Sequence, residues 1–378
     1  MIFKGNEMLN ILQVVDSLDA GGMEAQLVSL MNRMDPEAYR FHVVCLRHEG
    51  VHAARLRDGI PVTALKKAEG FQWSAVRQIQ ALLNEGAYDL VHTHNWGPLV
   101  YAALATHGGR TVPILHGEHA QLNASERAWK KLWPRRLLYR ACAGVHTVSV
   151  GQKEELSALG LKHHRLLALI NGVDTERFRP APHEEVRQRT RLPAKARILG
   201  IVARFGGFKR HAALVEAFEK VAADHPDLHL LMVGEGGPEK EAVTKQVATS
   251  LFASRITMAG YQTDPVPWYQ SMDALIVPSS NEGLSNATLE AMASGVPVLT
   301  NDICGARELF GADEGGWIRD LSTVEKLSAE LRTLLMMPLD RWQEQGKRGR
   351  ARAERIFSWD GMARAYAQAF SDCAKARR

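Results

Sequence analysis

Short apolar segments alternate with amphipathic segments along almost the whole chain, and this alternation constrains the fold more than any other feature. In the first half, continuous apolar runs predict short buried strands at residues 11–15, 41–46, 90–92, 112–115 and 145–149. Between them, the helical spacing of apolar residues predicts helices at 23–34, 73–83 and 98–106. Short continuous strands separated by helices indicate a parallel sheet that is covered on both faces.

The alternation is interrupted by residues 171–182, where Asn-Gly, several charges and two prolines predict a hinge. It then resumes, with strands predicted at 198–203, 228–233, 256–259, 274–278 and 297–300 and helices at 211–223, 238–251 and 285–293. The tail at 340–376 is predicted to be helical. The sequence therefore predicts two doubly wound α/β domains, at 1–175 and 176–355. A C-terminal helix at 356–378 is expected to pack back on the first domain.

Length and charge narrow the range of functions. A chain of 378 residues suits two domains of about 150 residues each with additional helices. The formal net charge of +5 is too small for the basic footprint of a nucleic-acid-binding protein, but it permits an anionic partner. No stretch of about 18 apolar residues predicts a membrane span. Four scattered cysteines and the lack of a signal-peptide pattern favour the cytoplasm.

Ligands of doubly wound domains bind at the turns that follow strands, so these turns carry the candidate binding residues. Gly21 and Gly22 follow the first strand and open a helix, which permits close approach of a phosphate. A tight turn without a ligand is the alternative. In the turn at 202–210, the guanidinium of Arg204 and the amine of Lys209 suit a diphosphate. Solvated surface cations are the alternative there.

The turn at 278–297 carries two carboxylates around a helix start. Glu282 lies in the loop and Glu290 lies eight residues later, within the predicted helix. The backbone N–H groups that open this helix are expected to form an anion cradle, which comprises Gly283, Leu284 and Ser285. Carboxylates on either side of such a cradle can bind the hydroxyls that flank a diphosphate, those of a sugar and those of a ribose.

Glu282, seven residues and Glu290, within EGLSNATLEAMASGVPV, resemble the signature of the retaining GT-B glycosyltransferases of family 4. Four other segments follow the order of that family: DAGGMEAQLVSL, DLVHTHN, NGVDTERF and VARFGGFKRHAALVEAF. Within the family, the chain most resembles bacterial sugar transferases of exopolysaccharide and cell-envelope pathways. The family often has Phe-Gly after the first glutamate, where this chain has Gly283-Leu284.

The resemblance implies two Rossmann-like domains facing across a cleft, with the acceptor on the first and a nucleotide-sugar donor on the second. Arg204 and Lys209 would stabilise the leaving diphosphate, Glu282 would contact the donor sugar and Glu290 the ribose. The backbone at Gly21 and Gly22 would close over the donor. No Asp-x-Asp motif suited to a metal is visible, and neither a metal nor another cofactor is expected.

The family also places a histidine near the reacting sugar, after a strand of the first domain. The segment Pro-Ile-Leu-His-Gly-Glu-His offers two candidates, His116 and His119. The spacing from Pro113 favours His119 as the catalytic residue and leaves His116 as a substrate-binding alternative. His92 and His94 suggest a metal site, but no third ligand lies at a suitable spacing, so packing or lining of a pocket is the preferred interpretation.

The segment at 127–140 combines cations with aromatic residues and contains no acidic residue. Its six cations are Arg127, Lys130, Lys131, Arg135, Arg136 and Arg140, and its aromatic residues are Trp129, Trp133 and Tyr139. Such mixtures lie at anionic membrane interfaces. We therefore expect peripheral association with the inner face of the cytoplasmic membrane. A basic surface helix with buried aromatic side chains is the alternative.

These features predict a retaining, metal-independent glycosyltransferase of bacterial polysaccharide, lipopolysaccharide or glycolipid synthesis. Its partners would be a nucleotide-sugar donor and a carbohydrate or lipid-linked acceptor, and no nucleic acid. Two alternatives remain open from the sequence. A nucleotide-sugar epimerase can share this fold, and so can a non-catalytic protein that binds sugar nucleotides.

Overall fold

The computed structural model describes residues 8–311 and 315–376. They fold into two compact units, each with its own parallel sheet. The first unit runs up to Asn171 and resumes at Trp359, and the second unit spans Gly172–Ser358.

The sheet of the first unit has seven parallel strands among the residues described, in the order β3-β2-β1-β4-β5-β6-β7. The strands are β1 (Leu9–Val15), β2 (Tyr39–Cys45), β3 (Val62–Ala64), β4 (Leu90–His94), β5 (Ile114–Glu118), β6 (Gly144–Thr147) and β7 (Leu166–Ala168). The helices between them are α1 (Gly22–Arg33), α2 (Trp73–Glu85), α3 (Trp96–Ala105), α4 (Trp129–Ala141) and α5 (Val150–Ala158).

The second unit repeats this architecture with six parallel strands in the part of the chain that the structure describes, ordered β10-β9-β8-β11-β12-β13. They are β8 (Arg197–Val202), β9 (Leu228–Val233), β10 (Ile256–Gly260), β11 (Ala274–Val277), β12 (Val298–Asn301) and β13 (Gly316–Arg319). The helices are α6 (His183–Thr190), α7 (His211–Ala222), α8 (Lys240–Thr249), α9 (Val266–Gln270), α10 (Asn286–Ala293), α11 (Ala306–Phe310), α12 (Val324–Met336) and α13 (Leu339–Ile356). The last helix, α14 (Trp359–Lys375), belongs to the first unit.

The apolar sequence of β1 shows why the first sheet is covered on both faces. Leu12 and Val14 pack into a core with α2, α3, α4 and α5. Ile11 and Val15 point the other way and pack with α1 and α14, where Tyr366 is one of the contacting side chains. Because successive residues of a strand face opposite sides, a run of apolar residues is what a strand buried on both faces requires.

In both sheets the strand order reverses at one point, between β1 and β4 and between β8 and β11. The carboxyl ends of the strands beside such a point are where doubly wound domains bind ligands. The loops after β1 and β8 carry the two glycine-containing turns of the sequence, and the loop after β11 carries the first of the paired glutamates.

The predicted α/β fold with two doubly wound domains is confirmed, and the structure adds strands that the sequence pattern did not predict. β3, β7 and β13 contain only three or four residues each and lie at sheet edges, where a short run carries too little periodicity to be recognised. Within the described ranges, no helix is both long enough and apolar enough to cross a membrane.

Candidate active site

The loop after β8 places two cations before α7. The side chain of Arg204 is exposed, and Lys209 lies in a single helical turn at Gly207–Lys209. The loop after β9 packs directly against this segment at Gly234, which has φ +141°. A Cβ at that position would lie 2.0 Å from the carbonyl oxygen of Ala203, so only glycine allows the two loops to approach so closely.

Lys209 and Glu282 form an ion pair between the loops that follow β8 and β11. Both side chains are largely buried, with 21% and 12% of their surface exposed. A backbone hydrogen bond of 2.8 Å, from the N–H of Ser280 to the carbonyl of Phe208, joins the same loops. The structure therefore brings together two side chains that lie 73 residues apart in the sequence.

Arg210 contributes to this site in a way that the sequence analysis missed. It adopts a left-handed conformation with φ +60° immediately before α7. Its guanidinium donates to the carbonyls of Leu321 and Ser322, the latter at 2.9 Å. These bonds fix the start of α7 next to Lys209. The positive φ has no sequence signal, because glycine is the residue that normally adopts it.

The loop before α10 is compact. Gly283, Leu284 and Ser285 are all buried, and the Ser285 hydroxyl caps the helix by accepting a 3.3 Å hydrogen bond from the N–H of Thr288. A Cβ at Gly305, which has φ +78°, would lie 2.6 Å from the carbonyl oxygen of Gly283. The loop after β12 therefore packs tightly against the predicted anion cradle.

Glu290 lies on α10 and is held by a buried tyrosine. The Tyr269 hydroxyl donates a 2.7 Å hydrogen bond to Glu290 Oε2. Burial, together with the negative charge of Glu290, raises the pKa of Tyr269 well above its ordinary value, so the phenol remains a donor. Tyr269 was not predicted as a site residue. It lies 21 positions before Glu290, on a short helix, and no pattern in the sequence links the two.

In the first unit, Gly21 and Gly22 lie at the start of α1, after β1. The carbonyl of Gly21 accepts the N–H of Ala25 at 3.0 Å, and Gly22 is exposed. The preceding loop is braced by Asp19, whose carboxylate pairs with His48 at 2.9 Å. Both glycines thus lie at the carboxyl edge of the sheet, as expected for a turn that could approach a ligand.

The structure separates the two candidate histidines. His116 is 0% exposed, with its Nδ1 2.9 Å from the Thr93 hydroxyl and its Nε2 3.4 Å from Glu118, so both ring nitrogens have partners within the protein. His119 follows β5, is partly exposed, and donates its backbone N–H to Asn95 Oδ1 at 3.1 Å. The buried ring of His116 does not favour the predicted substrate-binding role, which stays a prediction, and His119 is the candidate whose ring is partly exposed.

A network of buried histidines lies behind His119. His94 Nδ1 is 2.9 Å from His119 Nε2, and His92 Nε2 is 2.9 Å from His146 Nε2. Burial is the main cause that holds the pKa of all four rings well below the ordinary value, and it lowers that of His146 to about 3. In the described ranges, no group of three or more His, Cys, Asp or Glu side chains could hold a metal ion.

Two family models together match most of the chain. The model described as "Glycosyltransferase Family 4" matches residues 20–177, and "Glycosyl transferases group 1" matches residues 182–352. The chain belongs to the family 4 glycosyltransferases of GT-B fold. The predictions of this family, this fold and glycosyltransferase activity are thereby confirmed.

Curated and solved glycosyltransferases are similar over nearly the whole length. A D-inositol 3-phosphate glycosyltransferase of Thermobispora bispora is 25% identical, over 94% of this chain and 90% of its own. Anabaena HepE in complex with UDP and glucose has a TM-score of 0.84 at 19% identity, over 96% and 99% of the two chains. Sucrose-phosphate synthase of Thermosynechococcus elongatus has a TM-score of 0.82 at 20% identity, over 97% and 100%. The two structural similarities concern the fold.

Proposed function

We propose that this family 4 glycosyltransferase transfers a sugar from a nucleotide-sugar donor to an acceptor hydroxyl, with retention of the anomeric configuration and without a metal ion. The observation that carries the proposal is the ion pair of Lys209 and Glu282, which joins the cationic loop after β8 to the loop before α10. The UDP and UDP-glucose in the HepE complexes support a nucleotide-sugar donor for a chain of the same fold.

In this proposal, different polar groups of the second unit bind different parts of the donor. The cations of Arg204 and Lys209 neutralise the diphosphate, with the backbone at Gly283 at the start of α10. Glu282 accepts hydrogen bonds from the donor sugar. Glu290, oriented by Tyr269, accepts those of the ribose hydroxyls.

The reaction follows from the charge that develops on the leaving group. The bond between the anomeric carbon and the diphosphate oxygen breaks, and the acceptor oxygen forms its bond to that carbon on the same face. The proton of the acceptor hydroxyl passes to the departing phosphate oxygen. Arg204 and Lys209 stabilise the negative charge on the leaving diphosphate, which is the task a metal ion performs in other sites.

A donor screen tests the proposal and its alternatives. The protein is incubated with a panel of nucleotide sugars, with acceptors that include a phosphorylated polyol and a lipid-linked saccharide, and release of nucleoside diphosphate is measured. We expect release that depends on the acceptor, and a product whose anomeric configuration by NMR matches the donor. An epimerase would leave the nucleotide attached to the sugar, a binding protein would release none, and an inverted product would exclude retention.

We also propose that α4 brings the enzyme to an anionic membrane surface. Trp129, Trp133 and Leu137 are 73%, 61% and 54% exposed, and their spacing of four residues places them along one stripe of the helix. Lys130 and Lys131 are exposed beside that stripe. Apolar side chains flanked by cations are the pattern of helices that lie in a membrane interface.

Two residues of the predicted membrane segment, Arg135 and Tyr139, are buried and do not belong to the exposed surface. Arg135 is 3% exposed and pairs with Glu118 and Glu126, and Tyr139 is buried with its hydroxyl 2.7 Å from Glu118 Oε1. Their side chains face the core because they lie on the helix face opposite the exposed stripe. A lipid-linked acceptor in bacterial polysaccharide, lipopolysaccharide or glycolipid synthesis would make such a surface useful, and peripheral association with the inner face of the cytoplasmic membrane is part of the proposal.

A further inference from the structure

Two polar side chains of the neighbouring strands β1 and β4 form a hydrogen-bonded row with His119, which follows β5. Gln13 Oε1 is 3.0 Å from His94 Nε2, and His94 Nδ1 is 2.9 Å from His119 Nε2. Gln13 and His94 are 0% and 2% exposed, whereas His119 is partly exposed. Both nitrogens of His94 are therefore engaged, one on each side.

The direction of these hydrogen bonds follows from the donor and acceptor properties of the groups. With the Gln13 carboxamide oxygen facing His94, as the structure has it, that oxygen only accepts, so His94 Nε2 carries the proton. A neutral imidazole has one N–H, so His94 Nδ1 is an acceptor and His119 Nε2 must be the donor. His119 Nδ1 is then left without a proton, as a hydrogen-bond acceptor.

Burial, with the neighbouring histidines, holds the pKa of His94 and His119 well below the ordinary value, which keeps both rings neutral. The rings also have little freedom to turn. Gly117 lies between His146 and His119, and a Cβ there would be 2.5 Å from His146 Nε2 and 2.8 Å from His119 Nε2. The His92 ring lies 4.2 Å from that of His94, centroid to centroid.

We propose that Gln13 and His94 are positioning residues that fix the tautomer of His119, so that its Nδ1 accepts a hydrogen bond from a sugar hydroxyl. The inference rests on the proposed function and on the family resemblance, which implies a histidine near the reacting sugar. His119 thereby orients a hydroxyl without removing its proton, which agrees with a reaction in which the departing phosphate takes the proton of the acceptor.

Nitrogen NMR of the full-length protein, labelled at histidine with ¹⁵N, tests the tautomer directly. We expect His119 to carry its proton on Nε2 in the wild type. In Gln13→Met the carboxamide acceptor is lost, so we expect both His119 tautomers to be populated. Gln13→Glu places a carboxylate beside His94 and favours the imidazolium, whose two N–H groups both donate, so we expect the His119 proton to move to Nδ1. His116, bonded to Thr93 on the other face of the sheet, is the control in the same spectra and should not change.

Kinetics connect the tautomer to the reaction. We expect Gln13→Met to lower kcat about tenfold with little change in the donor KM. A wild-type His119 protonated on Nδ1, or an unchanged tautomer in Gln13→Met, would overturn the inference. If Gln13→Met does not fold, as judged by its melting curve, His94→Leu provides the same test of the His119 tautomer.

Failure of the proposed function would look different from failure of this inference. His119→Gln with wild-type turnover would remove His119 from the reaction even if the spectra show the expected tautomer. A wild-type protein that releases no nucleoside diphosphate from any donor would end the proposed function, while the NMR result would still decide whether Gln13 and His94 fix the His119 tautomer.

Discussion

Lys209 and Glu282 neutralise each other across two loops of the second unit. In the proposed reaction these side chains serve different parts of the donor, the amine for the diphosphate and the carboxylate for the sugar. The ion pair that the structure shows must therefore loosen when a donor binds. A partly buried pair of this kind keeps both groups near their working positions before the donor arrives.

Removal of either donor-site cation should slow the chemical step. We expect Arg204→Ala and Lys209→Ala each to lower turnover by about 10² or more, because each removes charge that stabilises the leaving diphosphate. Turnover is measured as nucleoside diphosphate release at saturating donor. Lys220→Ala, which removes an exposed lysine of α7 in the same unit, is the matched control and should retain wild-type turnover. Near-normal turnover in both site variants would refute the assignment.

Glu290 should act on donor affinity more than on turnover. Glu290→Ala removes the carboxylate proposed for the ribose, so we expect the donor KM to rise about tenfold or more with a smaller change in kcat. Tyr269→Phe leaves the carboxylate but removes the 2.7 Å hydrogen bond that orients it, and should raise the KM by a smaller factor. Tyr88→Phe, which removes a hydroxyl bonded to His42 in the first unit, controls for loss of a phenol. An unchanged KM in Glu290→Ala would contradict the ribose role.

The buried histidines should make the fold sensitive to acid. Burial is the largest cause of a lowered pKa at His92, His94, His119, His146 and His211, to about 3 at His146 and about 4 at His211. Below about pH 6.5 these histidines bind protons in the unfolded chain but not in the folded protein. Their contribution to the free energy of unfolding is therefore complete above that pH and is lost progressively as the pH decreases. Each such histidine contributes a slope of at most about 1.4 kcal/mol per pH unit, until the pH passes its folded pKa.

Urea unfolding between pH 7.5 and pH 5 measures this slope. His211 stacks on Phe205 with ring centroids 4.3 Å apart, so His211→Leu removes one titrating ring from an apolar environment and should give a shallower slope. Phe205→Leu changes the same stacked pair without removing a titrating group, and should keep the wild-type slope. Equal slopes for wild type and His211→Leu would show that this ring does not cause the acid sensitivity.

The exposed stripe of α4 should bind anionic vesicles. We expect wild-type protein to sediment with vesicles that contain phosphatidylglycerol at low salt, and not with neutral phosphatidylcholine vesicles. Changing Lys130, Lys131 and Arg140 to Gln should weaken binding by about 1 kcal/mol per charge, an effect that fades as ionic strength rises. Activity on a short soluble acceptor should survive.

The matched control removes the same charge from a helix without exposed tryptophans. Arg341, Lys347 and Arg348 are exposed on α13, and their change to Gln should leave vesicle binding unchanged. Trp129→Ala with Trp133→Ala should weaken binding at high salt as well, because the apolar contribution is not screened. If the wild-type protein does not sediment with anionic vesicles at low salt, the membrane proposal is wrong.

The sheets and the location of the candidate site could be predicted from the sequence because both depend on patterns within short segments of the chain. Runs such as Ile11–Val15 show that a strand is buried on both faces, and the spacing of Glu282 and Glu290 places one carboxylate before a helix and the other within it. The short edge strands escaped prediction, because three or four residues do not establish a period. The cations of α4 were recognised as a group, but their composition did not show that Arg135 faces inward.

By itself, the sequence determined two doubly wound α/β units, the turns that carry the glycines and cations, and membership of the family 4 glycosyltransferases. Only the tertiary structure decided that His119 is partly exposed while His116 is buried. It also decided that Lys209 forms an ion pair with Glu282 and that Tyr269 donates a hydrogen bond to Glu290. The physical reason is that the spacing of apolar residues in the sequence shows only which face of its own helix or strand a residue lies on. The partner across that face depends on which strands and loops become neighbours in the sheet, and those neighbours come from distant parts of the chain.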